Sequence, residues 1–324
     1  MTIKKIIISS ITAVFILMGC RSFGQELPDD VFDSLPQAFG NTVQDVPPDL
    51  GKIEFRESLS RNGDVRVRAS ISVDSEISKF TVKKAFLSYR IKDSGEALTT
   101  VDMIKESPKS DFWYSQLQNL KAGVEYEFFI SAFDEIGNSV VQLPTMKDLD
   151  KNNMTEVVTD DADKDIPKAM DILTVRFGYD GKDVEACVST VEKFKSYSVL
   201  GASVVLVGFI SDDVRYHPSR SITENTGGFI GYFPAMNKQG IFTVSQLSSG
   251  GDPIAPVKMF TAGKNVCMTA EANKLTTTPE RGLKVFAATG AMTAIGGRMF
   301  LGDASPYSIV YFRGSTYTPE GDIP

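Results

Sequence analysis

Histidine occurs once, at position 217, tryptophan once, at position 113, and cysteine three times. A single histidine excludes the multi-histidine zinc sites of metallohydrolases. A Ser-His-Asp triad would depend on His217, which Pro218 follows in a polar, turn-rich stretch. No G-x-S-x-G elbow and no phosphate-cradling glycine loop occurs in the chain. A glycosidase-type carboxylate pair stays open, because strands far apart in sequence can bring two acids together. Basic residues are the minority, 34 against 41 acidic, for a net charge of −7. That balance speaks against a nucleic-acid partner, which needs clustered lysine and arginine. Nor does any window of the second half sustain a 3.6-residue apolar period, so few helices are expected there.

What is present begins with an address. Lys4 and Lys5 precede an apolar run, Ile6 to Met18, interrupted only by Ser9, Ser10 and Thr12. That is the length of a signal-peptide core and short of the ~20 residues a spanning helix needs. The run closes on Leu17-Met18-Gly19-Cys20, which resembles the bacterial lipobox. The resemblance implies a signal peptide over 1–19, diacylglycerol on Cys20 and a membrane partner through that anchor. Removing the leader with its two lysines takes the net charge from −7 to −9. Arg21, where an aspartate would signal retention, resembles sorting to the outer membrane. Residues 20–50, with four prolines and scattered acids, read as a flexible tether.

Residues 51–145 read as strands. In "DVRVRASISV" Val65, Val67, Ala69, Ile71 and Val73 face one way, with Arg66, Arg68, Ser70 and Ser72 facing the other. Ala85, Leu87, Tyr89 and Ile91 keep the same period, and so do Tyr126, Phe128, Ile130 and Ala132. The stretch "LKAGVEYEFFISAFDEIGN" resembles the fibronectin type III pattern: a leucine, a turn, then a corner tyrosine opening a long strand. By that resemblance Tyr126 donates its hydroxyl to backbone just upstream. Trp113, in "FWY", is expected in the core rather than as a sugar platform.

Residues 146–165, dense in acids and without periodicity, read as a linker. Beyond them, residues 160–324 return to strands. Asp180-Gly181 marks a tight hairpin, "GASVVLVGFI" a buried central strand, and seven or eight strands are expected in all. "DADKDIPKAMDILTVRFGYDGKDVEACV" and "LKVFAATGAMTAIGGRMFLGDASPYS" resemble family 9 carbohydrate-binding modules and their DOMON-like relatives over roughly 160–313. The resemblance implies a second sandwich and a glycan ligand. The aromatic clamp of such modules would fall to Tyr216, Phe229, Tyr232 and Phe233, since this half has no tryptophan. Structural calcium is the one cofactor implied, with Asp161, Asp163, Asp165 and Asp171 as ligands. Cys187 and Cys267 each stand opposite the apolar face of their strand, which permits a disulfide, while two half-buried free thiols are the plainer reading.

The expectation is an all-β chain: two antiparallel β-sandwich domains in tandem after a lipoprotein signal peptide. It would be anchored in the cell envelope and act by binding a glycan or an envelope protein, without catalysis. A structural or adhesive protein without a small ligand is the alternative, and a glycoside-directed enzyme the remote one.

Overall fold

The structure is a computed structural model. It describes residues 46–58, 63–75, 78–147, 149, 154–162, 164, 166–195, 197–198, 201–211, 228–233, 238–242, 252–275, 282–292 and 299–320. Among these, regular structure comprises twenty strands and one 3-10 turn, Ala272–Lys274. The signal peptide, Cys20 and most of the tether lie outside the described residues.

Seven strands build the first sandwich: β1 (Asp49–Glu57), β2 (Val65–Ser72), β3 (Val82–Ile91), β4 (Thr99–Lys105), β5 (Phe112–Leu117), β6 (Tyr126–Asp134) and β7 (Ser139–Gln142). β1, β2 and β5 form one layer, and β3, β6 and β7 the other. β4 pairs with β3 over most of its length and with β5 through Ile104 and Lys105, so the sheet turns its corner there. The period of two decides which side chains lie between the layers. Val65, Val67, Ala69 and Ile71 of β2 are fully buried, as are Phe128, Ile130 and Ala132 of β6. Trp113 packs in the same core. Tyr126 does so as well, and its hydroxyl oxygen accepts the Lys121 N–H at 3.0 Å. The corner thus forms with the opposite donor sense from the one expected.

Asp134 explains the turn "DEIGN". Its Oδ1 accepts the N–H groups of Ile136 and Asn138, and its Oδ2 accepts Asn138 Nδ2. Gly137 takes a φ of +92°, which favours glycine. Burial pushes the Asp134 carboxyl above its ordinary range, while these hydrogen bonds oppose the shift.

The second sandwich contains β8 (Thr155–Thr159), β9 (Ile172–Tyr179), β10 (Asp183–Thr190), β11 (Tyr197–Ser198), β12 (Gly201–Ser211), β13 (Gly228–Phe233), β14 (Lys238–Phe242), β15 (Lys258–Ala262), β16 (Asn265–Glu271), β17 (Leu283–Met292), β18 (Met299–Ala304) and β19 (Ser308–Tyr311). One layer runs β15-β16-β10-β9-β8, and the other β19-β17-β12-β13-β14. Between them lie Val175, Phe177, Val184, Ala186, Val188, Val205, Val207, Val266 and Val285, all 1% exposed or less. β12 is central, paired on both edges, as its apolar run requires. The Asp180-Gly181 hairpin has Gly181 at φ +97° and Asp180 Oδ1 accepting the Lys182 and Asp183 N–H groups.

The segment read as an acidic linker is part of the second sandwich. β8 lies within it and pairs with β9, and Val157 and Val158 are fully buried. Met146, Leu149 and Met154 crowd against Gly178, where a Cβ would meet all three at 3.0 to 3.2 Å. The acids of this stretch hid two valines that the core needs. The expected strand count of the second half was also low, because strands as short as β15 and β19 show too little periodicity to read.

The two sandwiches share a sheet. β7 and β19 pair in parallel, Ser139 with Ser308 through Gln142 with Tyr311. Ser139 Oγ donates to Ser308 Oγ at 2.7 Å, both residues being fully buried, and the Tyr307 N–H donates to Asn138 Oδ1 at 2.9 Å. A last strand, β20 (Ser315–Tyr317), returns to the first sandwich and pairs antiparallel with β6. The outcome is one continuous sheet of fifteen strands carrying both sandwiches.

Candidate functional site

Among the described residues, a concavity lies where the two sandwiches meet, and its geometry follows from β6. The edge of β6 away from β3 is served by two strands far apart in sequence. β7 pairs with Ser131–Phe133 and β20 with Tyr126–Phe128. At the break between them a side chain stands in for backbone, as the Ile130 N–H donates to Gln142 Oε1 at 3.0 Å. Gly314 enters β20 at the same point. A Cβ there would overlap the Phe128 carbonyl oxygen and the Phe129 ring, so only glycine allows the approach.

β1 forms the facing wall. Its pairing with β2 shifts register between Leu50 and Ile53, a bulge at Gly51-Lys52 that turns this part of the strand. The walls are tied above and below: the Tyr311 hydroxyl donates to Asp49 Oδ1 at 3.2 Å, and the Tyr317 hydroxyl donates to Glu57 Oε1 at 2.6 Å. Burial, then the Glu57 carboxylate, push the Tyr317 phenol well above its ordinary range. Phe55 stacks on Tyr317 with ring centroids 4.7 Å apart.

Between these walls is a cleft of about 640 Å³, a size suited to a small ligand or a short polymer segment. Phe129, Ile53 and Leu50 give it apolar surface, and Gln142, Ser315 and Thr316 give it polar groups. Glu127 lines it but is ion-paired with Arg90, whose Nη2 also donates to the Thr145 carbonyl at 2.8 Å. Arg313 lines it too, exposed and without a hydrogen bond or ion pair to any described residue. Among the described residues that line it, Arg313 is a free cation beside aromatic, hydroxyl and amide groups, and no nucleophile is paired with a base. The arrangement can hold a ligand.

Of the ligand and calcium candidates read from the sequence, Tyr232, Asp161 and Asp171 are described, and none of the three lines the cleft. Tyr232 is half-buried and packs against the second core, its ring centroid 6.5 Å from that of Phe194. The side chains of Phe229 and Phe233, on β13, and all of Tyr216 lie outside the described residues. Of the calcium set, Asp161 is exposed and Asp171 is buried, while Asp163 and Asp165 lie outside the described residues.

Cys187 and Cys267 are directly opposite on β10 and β16 and are joined by a disulfide, with Cα atoms 4.1 Å apart. The plainer reading of two free thiols gives way to a bridge, because strand register sets the sulfurs face to face. Among the described residues, Glu185 with these cysteines is the one group of three metal-type ligands within 4.8 Å. The sulfurs are bonded to each other, and the Thr269 hydroxyl donates to Glu185 Oε2 at 2.9 Å. The cleft itself escaped sequence reasoning. Nothing in "YFRGSTY" signals it until β20 is known to lie on β6.

No family model matches the chain, and no curated protein matches it. Among solved structures it is similar to the crystal structure of chicken CNTN1 FN1–FN3 domains, at 13% identity, covering 83% of this chain and 67% of that one. The TM-score is 0.21, so no shared arrangement of the two chains bears on function. The sandwich architecture stands on this chain's own sheets and cores.

Proposed function

We propose that this chain is a lipid-anchored protein of the bacterial outer membrane that works by binding a glycan or a protein ligand, without catalysis. The observation that carries the binding part is the junction cleft, walled by β1 and by β6 with β20, and lined also by Gln142 of β7 and Tyr311 of β19. Sites of this kind favour domain junctions, where two rigid bodies make a concavity neither has alone. The lipobox-like Leu17-Met18-Gly19-Cys20 supports the anchor. The fused sheet equally favours a second reading, in which the protein is a stiff spacer or adhesive element with no small ligand.

Two measurements test this. Labelled palmitate is expected on the parent chain and absent from Cys20→Ala; a parent chain without label would refute the anchor. On an array of neutral glycans and in crosslinking to purified envelope proteins, Arg313→Ala and Thr316→Trp are expected to lose what the parent retains there. Unchanged retention would remove the cleft from the account, and no retention by the parent would leave the spacer reading.

A further inference from the structure

The outer face of β1, β2 and β5 carries the charge sign that the chain as a whole lacks. Strand pairing lays out its side chains in rows. Glu54 stands opposite Arg68, Arg68 opposite Tyr114, and Tyr114 opposite Ile104. In the next row Arg56 stands directly opposite Arg66. Two carboxylates serve three cations closely: Glu54 holds Lys52 at 2.9 Å and Arg68 at 3.1 Å, and Glu106 holds Arg68 at 2.9 Å and Arg66 at 3.2 Å. Arg56 reaches Glu54 only at 3.9 Å, with 74% of its side chain exposed. Like charges directly opposite on paired strands destabilise a sheet. A bound anion would relieve the Arg56–Arg66 pair.

The guanidinium groups are held ready for one. Arg66 lies over the Tyr114 ring at 4.0 Å and Arg68 over Phe112 at 3.4 Å. Stacking of this kind fixes the planar fork in place, so little order is lost when an oxyanion docks. Neighbouring cations hold the Glu106 and Glu54 carboxyls below their ordinary range, which keeps the network charged.

We propose that this face docks an anionic polysaccharide, its acidic groups seated between Arg56 and Arg66 with Lys52 alongside. The same stacking decides against the rival polyanions. Rings covered by guanidinium neither insert into a bilayer interface nor stack on nucleic-acid bases, which are the uses such partners make of aromatics. A polysaccharide needs only spaced oxyanion receptors and a little apolar surface. Ile104, 60% exposed in the adjoining row, supplies the latter. The inference does not rest on the cleft.

The test uses the full chain with Cys20→Ser, so that no acyl group mediates capture, on immobilised polygalacturonate, dextran sulfate and neutral dextran. Both anionic matrices are expected to retain it, neutral dextran is not, and retention should fade by about 0.5 M salt as charges are screened. Lys52→Glu with Arg56→Glu, both exposed and safe for folding, should weaken binding about tenfold. Lys258→Ala, exposed on β15 of the other sandwich, should leave it unchanged. Absence of retention, or a double variant that binds like the parent, would overturn the proposal. So would stronger binding to anionic phospholipid vesicles or to single-stranded DNA than to either polysaccharide.

Discussion

Gly314 shows how one residue decides whether the sandwiches can be joined. Its missing Cβ lets β20 close on the Phe128 carbonyl and the Phe129 ring. Gly314→Ala must either push β20 away or bend β6, and overpacking of this kind costs about 1–3 kcal/mol. The expected result is a lower melting temperature together with faster amide exchange at Tyr126–Phe128; unchanged exchange there would show that the approach is looser than the geometry states. In the sequence this glycine reads as an ordinary loop residue, because its constraint comes from a strand almost two hundred positions away. Trp113 and Tyr126 were legible for the opposite reason: their roles depend on neighbours within a single local pattern. The cysteines lie between these cases. Alternation placed both on one face, but only the β10–β16 register sets Cys187 opposite Cys267.

At the scale of elements, legibility followed burial. β2 is buried on one face only, and its pattern of alternating valines and arginines survives intact in the structure. β7 shows no alternation, since all four of its residues are buried between β6 and β19. Such a strand has no polar face to announce it. β8 failed differently: in the sequence around it the acids outnumber the two valines, Val157 and Val158, that face the core. The cleft inherits these difficulties. Its walls are β1, a bulged edge strand, and β20, three residues long. Neither the bulge nor the final strand leaves a periodic trace, and without them the role of Arg313 has no address.

On the scale of the whole molecule, an all-β chain with two cores was readable, whereas its connection was not. Parallel pairing between β7 and β19 joins residues 169 positions apart, and no local preference encodes that choice. β20 then completes the first sandwich with residues from the far end of the chain, so the first 145 residues do not supply all of their own sheet. Ending the chain after residue 313 tests this dependence. The deletion removes the pairing with Tyr126–Phe128, the Phe55–Tyr317 stack, the Tyr317–Glu57 hydrogen bond and the Gly123 N–H bond to the Pro319 carbonyl. The freed edge of β6 would expose backbone donors and acceptors that invite another strand. Hydrogen exchange should therefore show lost protection at Tyr126–Phe128, and light scattering should show a concentration-dependent dimer. The β10–β16 pair, tied by its disulfide in the other sandwich, should keep its protection. A truncated chain that stays monomeric with β6 fully protected would mean that β20 rests on the first sandwich without completing it.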